Sequence, residues 1–264
     1  MSIPKIIHYC WFGGKELPDS VKKYIKTWRE KCPDYQIVEW NESNSSFSDC
    51  LYAVEAYEAK KWAFVSDYVR FCAVYEMGGI YLDTDIEVLR NFDDLLNNGA
   101  VFGFGNDNSL TVPIFAAEKG HVSLKEIIDF YKTRKFVMQD GSFDTVAIEK
   151  SVEHVLSSNY GLKLNGERQL LQKEICILPK EYFFARDYMT GKITSYPELY
   201  IIHYGDGTWL DDDSREILKY QHKYAKIFGD KLGVNVGKAI FYLKKDGVLH
   251  VLKKILEVIS NKDK

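Results

Sequence analysis

Hydrophobic positions along the chain switch between two periods, and the switches mark its elements. Residues 5–12, KIIHYCWF, are a β-branched and aromatic run that stops at Gly13-Gly14, which predicts a strand and a turn. Val21, Tyr24, Ile25 and Trp28 then recur at helical spacing up to Cys32-Pro33, where proline ends the helix. Residues 36–40, QIVEW, read as a second strand. Strand, helix and strand at this spacing make a βαβ unit with parallel strands. Its ligand crevice belongs at the carboxyl ends of those strands, where His8 to Trp11 and Trp40-Asn41 fall.

A polar loop at 41–49 precedes an Ala- and Lys-bearing helix at 52–62. Ser66 is a good N-cap, and Val69, Cys72, Ala73 and Met77 place one buried stripe on a helix that ends at Gly78-Gly79. Ile80-Tyr81-Leu82 follows as a buried strand. Further strands are predicted at 101–104, 112–117, 175–178 and 199–204, with a loop at 105–109. Helices are predicted at 121–131, at 213–228, and after the DGSFDT segment at 140–145 through Val155. Residues 238–264 supply two more, around Asp246-Gly247. The pattern predicts an α/β domain over 1–211 and a helical appendage over 212–264.

The strand at 80–82 runs into Asp83 and Asp85, separated only by Thr84. In extended chain, residues i and i+2 share a face with Cα atoms about 6.6 Å apart, so both carboxylates converge on one small ligand set. Two such charges repel unless a cation joins them, and hard divalent ions suit carboxylate oxygens while keeping positions for a substrate's phosphates. A solvated turn is the plain alternative for the same residues. Asp67 and Arg70 lie three apart and are placed to pair near a helix N-terminus, either as ligand-binding groups or as a surface ion pair.

FVSDYVR at 64–70, GGIYLDTD at 78–85 and the opening IPKIIHYCWFGG at 3–14 together resemble glycosyltransferase family 32, the sugar transferases with a DXD motif. By motif order the resemblance extends over residues 4–209. That family includes bacterial capsule and lipopolysaccharide transferases and yeast mannosyltransferases. Its core is similar to the catalytic domain of large clostridial glucosylating toxins. The resemblance implies a GT-A fold, in which a Rossmann-like mixed sheet is flanked by helices. It also implies a nucleoside diphosphate sugar donor with UDP favoured over GDP, a Mn²⁺ or Mg²⁺ cofactor and retention of anomeric configuration. The acceptor it implies is a glycan or lipid-linked glycan in cell-surface polysaccharide synthesis.

By the same resemblance Asp85 holds the metal, Asp83 the metal or ribose, Asp67 and Arg70 the donor sugar, and Trp11 the base. His8, Trp40, Asn41, Ser66, Tyr81 and Trp209 complete the donor site. For Trp11 and Trp40 the alternative is simple core packing. HYGDGTW at 203–209 resembles the family's closing motif, and the His203 imidazole would join the metal shell. Many members carry paired histidines where this chain has Tyr204, so Asp206 and Thr208 stand as alternative oxygen ligands. Asp144 is either a contact to the transferred sugar or a helix cap.

Composition narrows the setting. The 264 residues, 46% hydrophobic and 14% aromatic, suffice for one large domain with a sizeable core. With 35 basic against 38 acidic residues the net charge is −3, so no global field draws nucleic acid. Five cysteines without a CxxC pair argue against a disulfide framework or a zinc site and for a reducing cytosol. The opening MSIPKIIHYC does not read as a charged-then-apolar leader, and no apolar run approaches membrane-spanning length. Residues 238–264 carry seven Lys against Asp246, Glu257 and Asp263, +4 where the remainder is −7. Two readings follow for that stretch: peripheral contact with the inner face of the cytoplasmic membrane, or a helical cap on the core. Rival functions are a DxD-type phosphatase, a toxin-like protein glycosyltransferase and a non-catalytic nucleotide-sugar binding module. The first usually places its motif on the first strand with Gly-Thr or Thr following, whereas Ile86-Glu87 follows here.

Overall fold

The computed structural model describes residues 2–205 and 212–247. Its strands are β1 (Ile6–Cys10), β2 (Gln36–Trp40), β3 (Gly79–Leu82), β4 (Ile86–Val88), β5 (Ala100–Asn106), β6 (Ser109–Ala117), β7 (Gln169–Leu171), β8 (Ile175–Leu178) and β9 (Ile201–His203). Seven of them form one mixed sheet in the order β2-β1-β3-β6-β5-β8-β7, while β4 and β9 pair separately. The α/β class is as the periodicity predicts, and the mixed sheet is as the family resemblance implies. β1 is parallel to both β2 and β3, so these three strands end on the same side.

Alternation along each strand builds two cores. Tyr81, Phe102, Phe104 and Phe115 face α2 (Leu51–Glu58), α3 (Trp62–Met77), α4 (Val122–Lys132) and α5 (Ile148–Tyr160). Ile80, Leu82, Val101 and Ile114 point the other way, toward Trp28 on α1 (Asp19–Lys31) and toward Ile86 and Val88 of β4. Trp28 Nε1 donates to the Ile86 carbonyl at 2.7 Å, which fastens β4 to α1.

Several boundaries differ from the sequence expectation. The helix predicted over 52–62 stops at Glu58, and α3 begins at Trp62 after a break in which Lys60 has φ 57°. Ser66 is therefore not an N-cap. It lies inside α3, where its hydroxyl donates back to the Trp62 carbonyl at 3.1 Å. Nor is α3 buried along one stripe, since Phe64, Val65, Tyr68, Val69, Phe71, Ala73 and Val74 are buried around most of its circumference. β4 and β7, three residues each, carry too little period to be read locally.

Contacts divide the protein into two compact units. One comprises the chain through Ala185 with Ser195–Tyr204, and the other comprises Arg186–Thr194 with the chain from Gly205 onward. The second unit thus includes a segment that the sequence reading assigned to the first domain. It contains an antiparallel hairpin of α6 (Asp212–Phe228) and α7 (Asp230–Asp246). α7 starts eight residues before the predicted helix at 238. Gly233 and Gly237, poor helix formers in isolation, lie where α7 presses on α6. A Cβ on Gly233 would meet the Tyr224 carbonyl oxygen at 2.3 Å, and one on Gly237 the Tyr220 carbonyl oxygen at 2.6 Å. The helix predicted beyond Gly247 lies outside the described residues.

Candidate active site

The site grows from the turn between α3 and β3. Gly78 and Gly79 have φ 71° and 120°, which lets the chain reverse directly into a fully buried strand. Side chains from β1 and β2 hold the turn. Trp40 Nε1 donates to His8 Nδ1 at 3.0 Å, which leaves His8 Nε2–H to donate to the Gly78 carbonyl at 2.8 Å. His8 is 0% exposed, and both ring nitrogens are engaged by protein. His8 and Trp40, assigned to the donor site from the sequence, are in the structure a buried brace between β1, β2 and the turn.

Burial pushes the His8 pKa down to about 4, despite the Gly78 carbonyl. Between its unfolded value of about 6.5 and that pH, the unfolded chain binds a proton that the folded chain refuses. His8 is thus expected to cost stability as pH falls through this window, on the order of 3 kcal/mol, with no contribution to the pH slope above it. Urea midpoints across the window for wild type and His8→Gln measure this, and equal slopes in the two proteins would refute it.

At the far end of β3 the carboxylates meet a buried cation. Asp67 and Arg70 are not near a helix N-terminus, because α3 starts at Trp62. Arg70 is 5% exposed and its guanidinium is committed to protein. Nε donates to the Ser66 carbonyl at 3.1 Å, Nη2 to Asp67 Oδ1 at 3.0 Å, and Nη1 to the Val112 carbonyl at 3.4 Å. Nη1 also lies 3.2 Å from Asp83 Oδ1, and the guanidinium covers the Tyr81 ring at 4.6 Å. The Tyr81 hydroxyl donates to the same Asp83 oxygen at 3.0 Å. Asp83 is thus clamped through Oδ1. Burial raises its pKa, opposed by Arg70 and reinforced by Asp85. Asp67 is pushed up to about 7 by burial, with Arg70 opposing.

The third member arrives from the distant chain. β4 and β9 pair antiparallel with Ile86 opposite His203, and the Tyr204 amide donates to the Asp85 carbonyl at 3.0 Å. This register puts His203 Nε2 3.1 Å from Asp85 Oδ1. Ligand-capable atoms of Asp83, Asp85 and His203 all lie within 4.8 Å of one another. Burial opposes charging of His203, yet its pKa is raised because Asp85, Asp83 and Glu149 surround it with negative charge. Two carboxylates and one imidazole fit a hard or borderline divalent ion such as Mn²⁺ or Mg²⁺. Tyr204 is not part of the cluster. Its ring stacks on Tyr24 at 5.1 Å and its hydroxyl donates to Glu87 at 2.7 Å.

Other candidates take less central places. Trp11 stands partly exposed one residue past β1, packed against the edge of the core that holds Trp28 and Leu82, with Nε1 donating to the Lys15 carbonyl at 2.6 Å. Asn41 folds its own loop, accepting from the Ser43 amide at 2.9 Å and donating to Glu39 at 2.8 Å. Asp144 is bound by Arg134 at 2.7 Å and accepts from the Val146 amide at 3.1 Å, which makes it a loop brace. Asp206, Thr208 and Trp209 lie outside the described residues.

One residue escaped the sequence reading. Glu149, in the first turn of α5, lies within electrostatic reach of Arg70 and Asp83 and adds to the negative field at Asp67 and His203. Burial raises its pKa, opposed by its own backbone amide and then by Arg70. The DGSFDT segment just before it is the local signal for this edge of the site.

An α/β sheet whose parallel strands end at two carboxylates, with a histidine folded against them, defines a class of site suited to a metal and a phosphorylated ligand. Comparison with known proteins narrows that class. Residues 18–102 match the family described as "Glycosyltransferase sugar-binding region containing DXD motif". The chain is similar to inositol phosphoceramide mannosyltransferase 3 of Schizosaccharomyces pombe, 30% identical over 131 residues that cover 48% of this chain and 36% of that protein. It is also similar to subversion of eukaryotic traffic protein A of Legionella pneumophila, 25% identical over 162 residues, 48% of this chain and 24% of that protein. The matched stretch is about a third of the first relative's length and about a quarter of the second's. Among solved structures, PaToxG glycosyltransferase aligns with a TM-score of 0.45 at 17% identity, covering 60% of this chain and 70% of that one.

Proposed function

We propose that the protein is a metal-dependent, retaining glycosyltransferase of the GT-A type that moves a sugar from a nucleoside diphosphate donor to a glycan acceptor. The observation that carries this reading is the convergence of Asp83, Asp85 and His203 at the carboxyl end of β3, the two carboxylates lying inside the stretch that matches the DXD glycosyltransferase family. A divalent ion held there would supply charge neutralisation for a departing diphosphate. The chain's own groups do the remaining work. Arg70 and Tyr81 hold Asp83 by one oxygen, and the partly exposed Trp11 offers an indole face to the base. Glu149 has no hydrogen-bond partner beyond its own backbone among the described residues, and its acceptor oxygens suit a sugar hydroxyl.

Retention of configuration, preference for UDP over GDP, and a role in cell-surface polysaccharide synthesis with a free or lipid-linked acceptor rest on the family resemblance. The five unpaired thiols, four of them buried, suit the cytoplasmic setting read from the sequence.

A thermal-shift series with UDP- and GDP-sugars, each with and without Mn²⁺, tests the reading. A ligand that binds only the folded state raises the midpoint, by about 2.7 kcal/mol of stability at a hundredfold excess over Kd. The rise is expected only with donor and metal together, and Trp11→Ala is expected to weaken donor affinity by roughly 1–3 kcal/mol. No shift with any donor-metal pair would refute the assignment. Acceptor-free hydrolysis of the donor would separate an enzyme from a binding module.

A further inference from the structure

The second unit carries an apolar tip that nothing in the catalytic reading uses. α6 ends at Phe228, Gly229 makes the turn, and α7 starts at Asp230. At this turn Ile227, Phe228 and Leu232 are 60%, 49% and 60% exposed, and every residue from Lys226 to Leu232 is exposed. Three large hydrophobic side chains in one turn and a half are costly to leave in water, at about 25 cal/mol per Å² of apolar surface. Helical hairpins ordinarily close with polar or small residues at the turn.

Two further features say what the tip meets. The first is rigidity. Gly233 and Gly237 bring α7 against the backbone of α6, and Phe241 is buried against Tyr220 at a ring distance of 6.1 Å. The exposed side chains therefore project from a fixed wedge, Phe228 with one ring face stacked on Tyr224 of the same helix at 6.2 Å and still half exposed. The second is charge. Lys223, Lys226 and Lys231 flank the apolar group and are exposed, while the nearby acid, Asp230, lies 3.6 Å from Lys192. An apolar point with a basic collar complements the headgroup layer of an anionic membrane. No described helix is long and apolar enough to cross a membrane, so contact here is peripheral.

We propose that the α6–α7 turn inserts Ile227, Phe228 and Leu232 into an anionic lipid surface while Lys223, Lys226 and Lys231 engage its headgroups. This moves the membrane contact from residues 238–264, where the charge pattern placed it, to the opposite end of α7. The inference stands apart from the catalytic reading, because it concerns a different unit and needs neither donor nor metal.

The test is co-flotation of the full chain with phosphatidylcholine vesicles, with and without phosphatidylglycerol, at low and high salt. Two variants accompany it, Ile227→Ser/Phe228→Ser/Leu232→Ser and Lys223→Gln/Lys226→Gln/Lys231→Gln. All six positions are exposed, so both variants should keep the wild-type circular dichroism and thermal midpoint. Wild type is expected to float with anionic vesicles at low salt and not with neutral ones. Each lysine near an anionic leaflet is worth roughly fivefold in partitioning, so the lysine variant should lose on the order of a hundredfold. The serine variant should lose binding at both salt concentrations. Wild type remaining in the soluble fraction would overturn the proposal, as would variants that float as well as wild type. Light scattering without vesicles provides a further check. A wild-type dimer that the serine variant converts to monomer would make the tip a self-association surface and overturn it equally.

Discussion

Asp85→Asn is expected to lower sugar transfer by on the order of 10³-fold while leaving the fold intact. Asp85 ends a strand turn and faces both Asp83 and His203, so its charge has two roles that the substitution separates. In the absence of metal, removing one of two neighbouring negative charges relieves repulsion at Asp83, whose pKa is raised by burial and by Asp85. Asp85 also pairs with His203 at 3.1 Å, so stability should hold or rise only at a pH where His203 is neutral. With a metal held as proposed, one of its three ligands would become a neutral amide and the electrostatic support of a leaving group would fall, an effect of the size seen when a single preorganised stabilising group is removed. Manganese titration by electron spin resonance and single-turnover transfer are the measurements. Undiminished transfer by the variant in chelated, metal-free buffer would sink the metal assignment.

Arg70→Met is expected to destabilise the protein by roughly 3–5 kcal/mol, the range for leaving a buried charge without its partner. Arg70 is the cation contacting both Asp67 and Asp83, and its guanidinium makes no contact that solvent could replace without opening the core between α3 and β6. The loss has a pH signature. Burial already raises Asp67 to about 7, so the folded state holds its proton more tightly than the unfolded chain does. Stability from that proton is complete below about pH 4 and is lost as pH rises toward the folded value. Removing Arg70 raises the folded value further, so the deficit against wild type should grow with pH. Urea unfolding at acidic and alkaline pH reads this difference directly. Asp67→Asn combined with Arg70→Met should recover part of the stability, and no recovery would mean that lost packing rather than unpaired charge dominates.

What the sequence made legible and what it hid divide along the range of the interaction. The βαβ unit, the stop at Cys32-Pro33 and the strand into Asp83 are local patterns, and the structure has each of them within a residue or two. Ser66 misled because a serine hydroxyl serves equally as a cap and as a donor to the carbonyl four residues back, and only the start of the preceding turn tells them apart. His8 and Trp40 lie at the predicted edge of the sheet, yet they bond to each other and to Gly78, a contact 70 residues away that no periodicity encodes. Gly233 and Gly237 interrupted the helical pattern where a neighbouring helix makes glycine the fitting residue. Glu149 was hidden for the opposite reason: an acid in the first turn of a helix is so common that it carries no signal without the fold around it.

The pairing of β4 with β9 has a consequence for the order in which competence is acquired. Asp83 and Asp85 are synthesised early and can meet as soon as β3 docks, but His203 reaches them only when the final strand of the first unit has closed against Ile86. Contacts of such long sequence separation form last, since their loop entropy must be offset by structure already in place. A chain still emerging from the ribosome would hold two ligands of a weak, unselective cation site. On the proposed metal reading, closure of β9 would turn that pair into a three-point grip, so tight metal capture would wait on the pairing of β9 with β4.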